Sequence, residues 1–230
     1  RDAPSMETEK DFYMAVAIHP GVFAAKQHMK KMEIGKQYVQ YREDQLEKLG
    51  NTAVYLSDHI SDLSKTKLLK LLYLLDERSI LERGFPFLNL QYKVWKLGPV
   101  AQPVFVDLSS EITMLAPYVH YVRNEPCRTS DSDWQRLVPN RPFCDDEFSA
   151  YDMELMDRVI SEYGKMTAKE LVNATHRPGS LWYKTARENG VLDALENERI
   201  NSTDFAIDMG RLVADDPYKK EKYESYREMF

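Results

Sequence analysis

Residues Lys65–Val100, KTKLLKLLYLLDERSILERGFPFLNLQYKVWKLGPV, decide the fold of this chain. On a helical wheel at about 100° per residue, Leu68, Leu71, Leu72 and Leu75 form one face. Leu69, Tyr73 and Ile80 widen it on one side, Leu74 and Leu81 on the other, and only a narrow strip around Lys70 and Glu77 stays polar. A helix apolar nearly all round is the one on which other elements pack. Each buried leucine contributes roughly 1.5–3 kcal/mol, an upper bound because unfolded chains are partly compact. Asp76 and Arg78 fall inside the apolar arc. Charges are seldom buried without partners. Each is therefore expected to reach a rim near the helix end or to bond to a neighbouring loop.

Working outward, Ser64 or Thr66 caps this helix and Gly84 ends it. Leu88, Leu90, Tyr92 and Val94 then alternate with Asn89, Gln91, Lys93 and Trp95, which predicts a strand ended by a Gly98-Pro99-Val100 corner. A lone short strand needs a partner, and residues 118–123 and 134–138 are the candidates. Upstream, Leu46, Leu49, Ala53, Leu56, Ile60 and Leu63 form a helical stripe. Gly50 inside it costs about 1 kcal/mol relative to Ala and offers a break at Gly50-Asn51. Downstream, Pro103 opens a helix through Leu108, and residues 124–147 carry dense loop signals. Ser149 with Asp152, and Thr167 with Glu170, read as helix caps. Pro178-Gly179 breaks the second of these helices, and Ser180–Asn189 forms another that stops at Gly190. Ser202 or Thr203 is expected to start a helix carrying Phe205, Met209 and Leu212, and Pro217 a last one with Tyr223, Tyr226 and Phe230. The predicted class is α+β, predominantly helical, with a central leucine-rich helix packed by other helices and a small antiparallel sheet.

Apolar residues make up 43% and charged residues 30% of the 230, which is ordinary for a globular chain. The net charge of −6 argues against a general nucleic-acid binder. Cys127 and Cys144 are too few for a disulfide framework and lack zinc-site spacing, so a reducing cytoplasm is the expected compartment. No apolar run reaches the roughly 18 residues of a membrane span, and no signal-peptide pattern opens the chain. Met6 offers a natural start after RDAPS.

Three ordered segments, KLLKLLYLLDERSILERG, YKVWKLGPVAQPVF and FSAYDMELMDRVISEYGKMTAKELVNATHRPGSLWYK, together resemble the Panacea, or SocA-like antitoxin, domain family. The matching positions are Lys70-Leu71-Leu72-Tyr73, Trp95, Gly98-Pro99-Val100, Thr175-His176 and Trp182, within about residues 46–190. The resemblance implies a bacterial, prophage-associated type II antitoxin that needs no cofactor. It implies neutralisation of a cognate toxin by direct binding, with delivery to a protease as one route. It divides the chain into an N-terminal helical extension, residues 1–43, and a Panacea domain with a C-terminal helical extension, residues 44–230. The candidate family-motif or partner-binding residues are Tyr73, Asp76, Arg78, Trp95, Gly98, Pro99, Thr175, His176 and Trp182.

Two other readings compete. The basic cluster Lys26, His28, Lys30 and Lys31, after His19-Pro20-Gly21, suggests a DNA-binding autorepressor, but no recognition helix follows it. His176 suggests an enzyme, yet no nucleophile elbow or triad accompanies it. Its expected role is to cap carbonyls at the Pro178 break or to bond across to the Gly98-Pro99-Val100 corner. The five histidines share no metal-ligand spacing. Trp95 lies on the strand face opposite Tyr92 and Val94, where a second layer or a partner must meet it.

Overall fold

The leucine-rich segment folds as expected. It forms α2, Lys65–Arg83, with the Ser64 hydroxyl accepting from the Lys67 amide and Gly84 closing it in the left-handed conformation at φ 78°. The structure, a computed structural model, describes residues 41–123 and 135–229, so the helical reading of residues 1–40 lies outside it. Leu68, Leu71, Leu72, Tyr73, Leu74 and Leu75 are all buried, and the segments Gly98–Ala101, Gln102–Ser109, Ala150–Tyr163, Ala168–His176, Met209–Val213 and Pro217–Met229 pack on α2. The polar strip does not survive. Lys70 and Glu77 are buried too, because the helix is wrapped on that side by a hairpin and a later helix.

Helix α1, Glu43–His59, runs through Gly50 without a break. A Cβ there would lie 2.4 Å from the Tyr118 ring, so the glycine exists for close approach and its propensity cost is offset by packing. The predicted strand shortens to β1, Tyr92–Trp95. Gly98-Pro99-Val100 is no corner. It belongs to β2, Gly98–Ala101, which pairs antiparallel with β1 across a turn at Lys96-Leu97. Pro99 is tolerated because β2 is an edge strand. Helix α3, Gln102–Ser109, follows, with Pro103 in its first turn.

The expected partner strands pair with each other instead. Strands β3, Val119–Arg123, and β4, Gln135–Pro139, make a separate two-stranded sheet beside α1. Helices α4, Ala150–Tyr163, and α5, Ala168–His176, both open with the predicted capping boxes. Ser180 caps α6, Leu181–Glu188, and α7, Leu192–Glu196, is one short turn. The helix expected from Ser202 is absent: Ser202–Ala206 is β5, which completes the order β2-β1-β5. A 3-10 turn at Met209–Val213 and helix α8, Pro217–Met229, complete the described chain. The pull of the unpaired β1 edge overrides the helical spacing of Phe205, Met209 and Leu212. The result is the expected class, a mostly helical α+β fold with small antiparallel sheets.

Gly50→Ala should destabilise the protein by about 1–3 kcal/mol, despite alanine's better helix propensity, through overpacking against Tyr118. Urea denaturation measures it, and Tyr118→Leu in the same chain should recover part of the loss.

Candidate functional site

Burying a leucine-rich helix on all sides forces its polar residues to find partners inside the fold. Asp76 does so completely. One oxygen accepts from the Leu88 amide at 2.6 Å and the Asn89 amide at 3.2 Å, the other from the Leu90 amide at 3.2 Å and the Tyr92 hydroxyl at 2.8 Å. Burial pushes the Asp76 carboxyl up, and these donors pull it back. The expectation that it is satisfied by a neighbouring loop is met by the loop leading into β1. The Tyr92 hydroxyl also reaches the Leu72 carbonyl at 3.1 Å, and its ring meets Tyr73 edge-on at 5.1 Å. Asp107, which sequence reasoning did not single out, holds the loop after α3 in the same way, accepting from the amides of Thr113, Met114 and Leu115.

Lys70 is buried as well, 1% exposed. Its Nζ donates to the Pro99 carbonyl at 2.7 Å, tying α2 to β2. Burial alone lowers the amine to about 7. Gly98, at φ +100°, fits beside it: a Cβ there would sit 2.9 Å from Thr175 Oγ1 and 3.0 Å from Lys70 Nζ. The Thr175 hydroxyl donates back to the Leu171 and Val172 carbonyls and packs its side of α5 against the hairpin. One turn further along α2, the Tyr73 hydroxyl donates to Glu77 at 3.0 Å, and burial pushes the Glu77 carboxyl up.

His176 neither caps carbonyls nor bonds to the hairpin. Its ring stacks on Trp182 at 3.9 Å, its Nε2 is buried without a hydrogen-bond partner, and burial with the nearby Lys70 lowers it to about 4. Trp182 is buried, and its indole N–H donates to the Trp95 carbonyl at 2.9 Å. The half-buried Trp95 in turn donates from its indole to the Thr203 carbonyl at 3.1 Å, and its ring meets Phe105 of α3 edge-on at 4.8 Å. The outer face of β1 is thus covered in part by α3.

Eight of the nine singled-out residues therefore belong to one connected interior. Trp95, Gly98, Pro99, Thr175, His176 and Trp182 surround Lys70 and the hairpin, and Tyr73 and Asp76 adjoin them through Tyr92. Arg78 points elsewhere, donating to both Glu162 oxygens at 2.7 and 2.8 Å and to the Tyr163 hydroxyl. Lys70 was missed as a site residue because on a wheel a lysine flanked by leucines reads as the solvent strip. Leu97 at the hairpin tip is 51% exposed, and the corner Arg177-Pro178-Gly179 that follows α5 is exposed. Among the described residues no group of three or more His, Cys, Asp or Glu is placed to hold a metal ion, and no helix is long and apolar enough to cross a membrane.

Two predictions follow from the buried charges. Asp76→Ala strands three amides and a hydroxyl and should cost about 3 kcal/mol or more in urea denaturation. For Lys70, the unfolded amine holds a proton at its ordinary 10.5 that the native amine sheds at about 7. Stability should therefore rise with pH above about 7, by up to about 1.4 kcal/mol per unit, and be lower and flat below it. Lys70→Met should remove that slope between about pH 7 and 9.5, read as the difference between the two proteins' unfolding free energies.

Comparison with known proteins places this arrangement. The curated Antitoxin SocA of Caulobacter vibrioides (strain NA1000 / CB15N) is 28% identical over 120 residues, which cover 52% of this chain and 58% of that protein. No solved structure matches the chain. The family described as "Antitoxin SocA-like, Panacea domain" matches residues 68–183, from the start of the leucine face of α2 to Tyr183 in α6. The match covers half of the chain and takes in the whole Lys70–Trp182 interior: the chain belongs to the SocA-like Panacea domain family.

Proposed function

We propose that this protein is a type II antitoxin that neutralises a partner toxin by binding it directly. The observation that carries the reading is membership of the SocA-like Panacea family across residues 68–183. In support, most of the family-motif residues are spent on the interior around Lys70, while Leu97 at the hairpin tip and the corner Arg177-Pro178-Gly179 are exposed. The toxin docks on this surface around Leu97 and Arg177–Gly179, and Tyr73, Asp76, Trp95, Gly98, Pro99, Thr175, His176 and Trp182 position it from beneath. Arg78 anchors α4 to α2. Residues 44–230 make up the binding domain and residues 1–43 an extension that adjusts specificity. Neutralisation takes place in a bacterial cytoplasm, either by blocking the toxin or by presenting it to a protease.

The competing readings gain less. The basic cluster behind the DNA-binding reading lies outside the described residues. The enzymatic reading places a general base at His176, but its Nε2 is buried and makes no hydrogen bond. A base also needs the proton it takes within hydrogen-bond reach.

Co-expression with the product of the neighbouring gene tests the proposal. The expected outcome is growth rescue and a complex that co-purifies; a harmless neighbour, or one neither bound nor rescued, overturns it. Leu97→Asp should weaken the complex at least tenfold, by titration calorimetry, with the far-UV circular dichroism unchanged.

A further inference from the structure

The three-stranded sheet is built from two different parts of the chain. Strands β1 and β2 lie inside the family-matched segment 68–183, whereas β5, Ser202–Ala206, lies beyond it. β1 is the central strand, so without β5 one of its edges would carry unpaired amides and carbonyls, a ready template for another strand. β5 fills that edge, but loosely. From Lys93 to Trp95 is two steps along β1, while their partners Ala206 and Ser202 are four steps apart on β5. Two residues therefore bulge out of the ladder, and pairing is interrupted there. None of the five β5 side chains is buried; Thr203 is half-buried and the rest are exposed, Phe205 at 39%.

The bonds that do hold β5 are specific. The Thr203 hydroxyl donates to the Val94 carbonyl at 2.6 Å, the Trp95 indole donates to the Thr203 carbonyl at 3.1 Å, and Lys93 Nζ donates to Asp204 at 2.7 Å. At either end of the strand, the Lys96 amide donates to the Asn201 carbonyl and the Ile207 amide to the Tyr92 carbonyl. The edge thus reads backbone plus a short chemical pattern: a hydroxyl for Val94, a carboxylate for Lys93, and a carbonyl presented to the Trp95 indole. Strand addition of this kind takes its affinity from the main chain and its specificity from such side-chain points.

We propose that the β1 edge is a strand-acceptor site, filled within the chain by a displaceable β5, and that its exchange partner is an extended protein segment with a hydroxyl–acidic pair like Thr203-Asp204. When the segment belongs to a toxin, this site deepens the antitoxin reading, but it stands on the sheet alone. The in-chain strand acts as a self-occupant that only a matching segment, at sufficient concentration, replaces.

A synthetic peptide of residues 201–208, NSTDFAID, labelled with fluorescein, supplies the test in fluorescence anisotropy. Three full-length proteins are compared, all with Cys127→Ser and Cys144→Ser: the background protein, one with Asp204→Pro to weaken the in-chain strand, and one with Lys93→Cys and Ala206→Cys oxidised to lock it. The expected result is saturable binding to the Asp204→Pro protein, at least tenfold tighter than to the background. The locked protein and a scrambled peptide should show none. Equal binding to all three proteins, or none to a folded Asp204→Pro protein, overturns the proposal.

Hydrogen exchange on the unsubstituted chain decides independently of whether that variant folds. Amides of residues 202–206 should exchange at least a hundredfold faster than those of residues 71–75, and equal protection overturns the idea. No toxin is present in either measurement, so failure here and failure of the antitoxin reading are separate results.

Discussion

A carboxylate that has given up water entirely must be repaid by donors held in fixed positions, and Asp76 is where this fold meets that demand. Three consecutive positions of the following loop, 88 to 90, turn their amides toward it, and Tyr92 adds its hydroxyl from the first residue of β1. The loop therefore cannot choose its own path. Its route sets where β1 begins, which sets the register of the hairpin and so puts the Pro99 carbonyl above Lys70. Removing a single acceptor would strand several donors at once, which costs more than the net value of the bonds. The central helix is thus more than an apolar post: two of its buried charged residues, Asp76 and Lys70, fix the sheet that leans on it.

The apolar logic of the fold was open to sequence reading because it is local. Ser64, Gly84, Ser149 with Asp152 and Thr167 with Glu170 act within one turn of where they stand, so their caps follow from residue type and spacing. The wheel placed the leucines correctly for the same reason. It failed for Lys70 and Glu77, since nothing within one turn of Lys70 announces a carbonyl 29 residues later. Distance also defeats the reading of Ser202–Ala206, whose partner strand lies far earlier in the chain, whereas Gly98-Pro99-Val100 pairs with the adjacent β1 and was misread locally. Glycine and proline signal a stop, but a two-residue turn ahead of them converts that stop into a strand, and β5 is a strand only because β1 is there to receive it.

The candidate site was legible as a set of residues and less so as an arrangement. Trp95, Thr175, His176 and Trp182 lie together, and His176 stacks on an indole where carbonyl capping or a bond across to Gly98-Pro99-Val100 was expected. The two tryptophans are joined by backbone carbonyls, Trp182 to Trp95 and Trp95 to Thr203, so a line of indole donors crosses from α6 through β1 to β5. Large aromatics with a polar handle do this well: they fill volume and still place one directed bond.

That line of bonds also has a direction in time. The partner of the Trp95 indole lies 108 residues further along the chain. At ordinary rates of protein synthesis those residues take about 5–20 s to be made, while the β1–β2 hairpin closes within microseconds of leaving the ribosome. Every newly made molecule therefore passes through an interval in which both hairpin strands have been made and β5, the occupant of one margin of β1, has not. The first strand to reach that margin need not be its own.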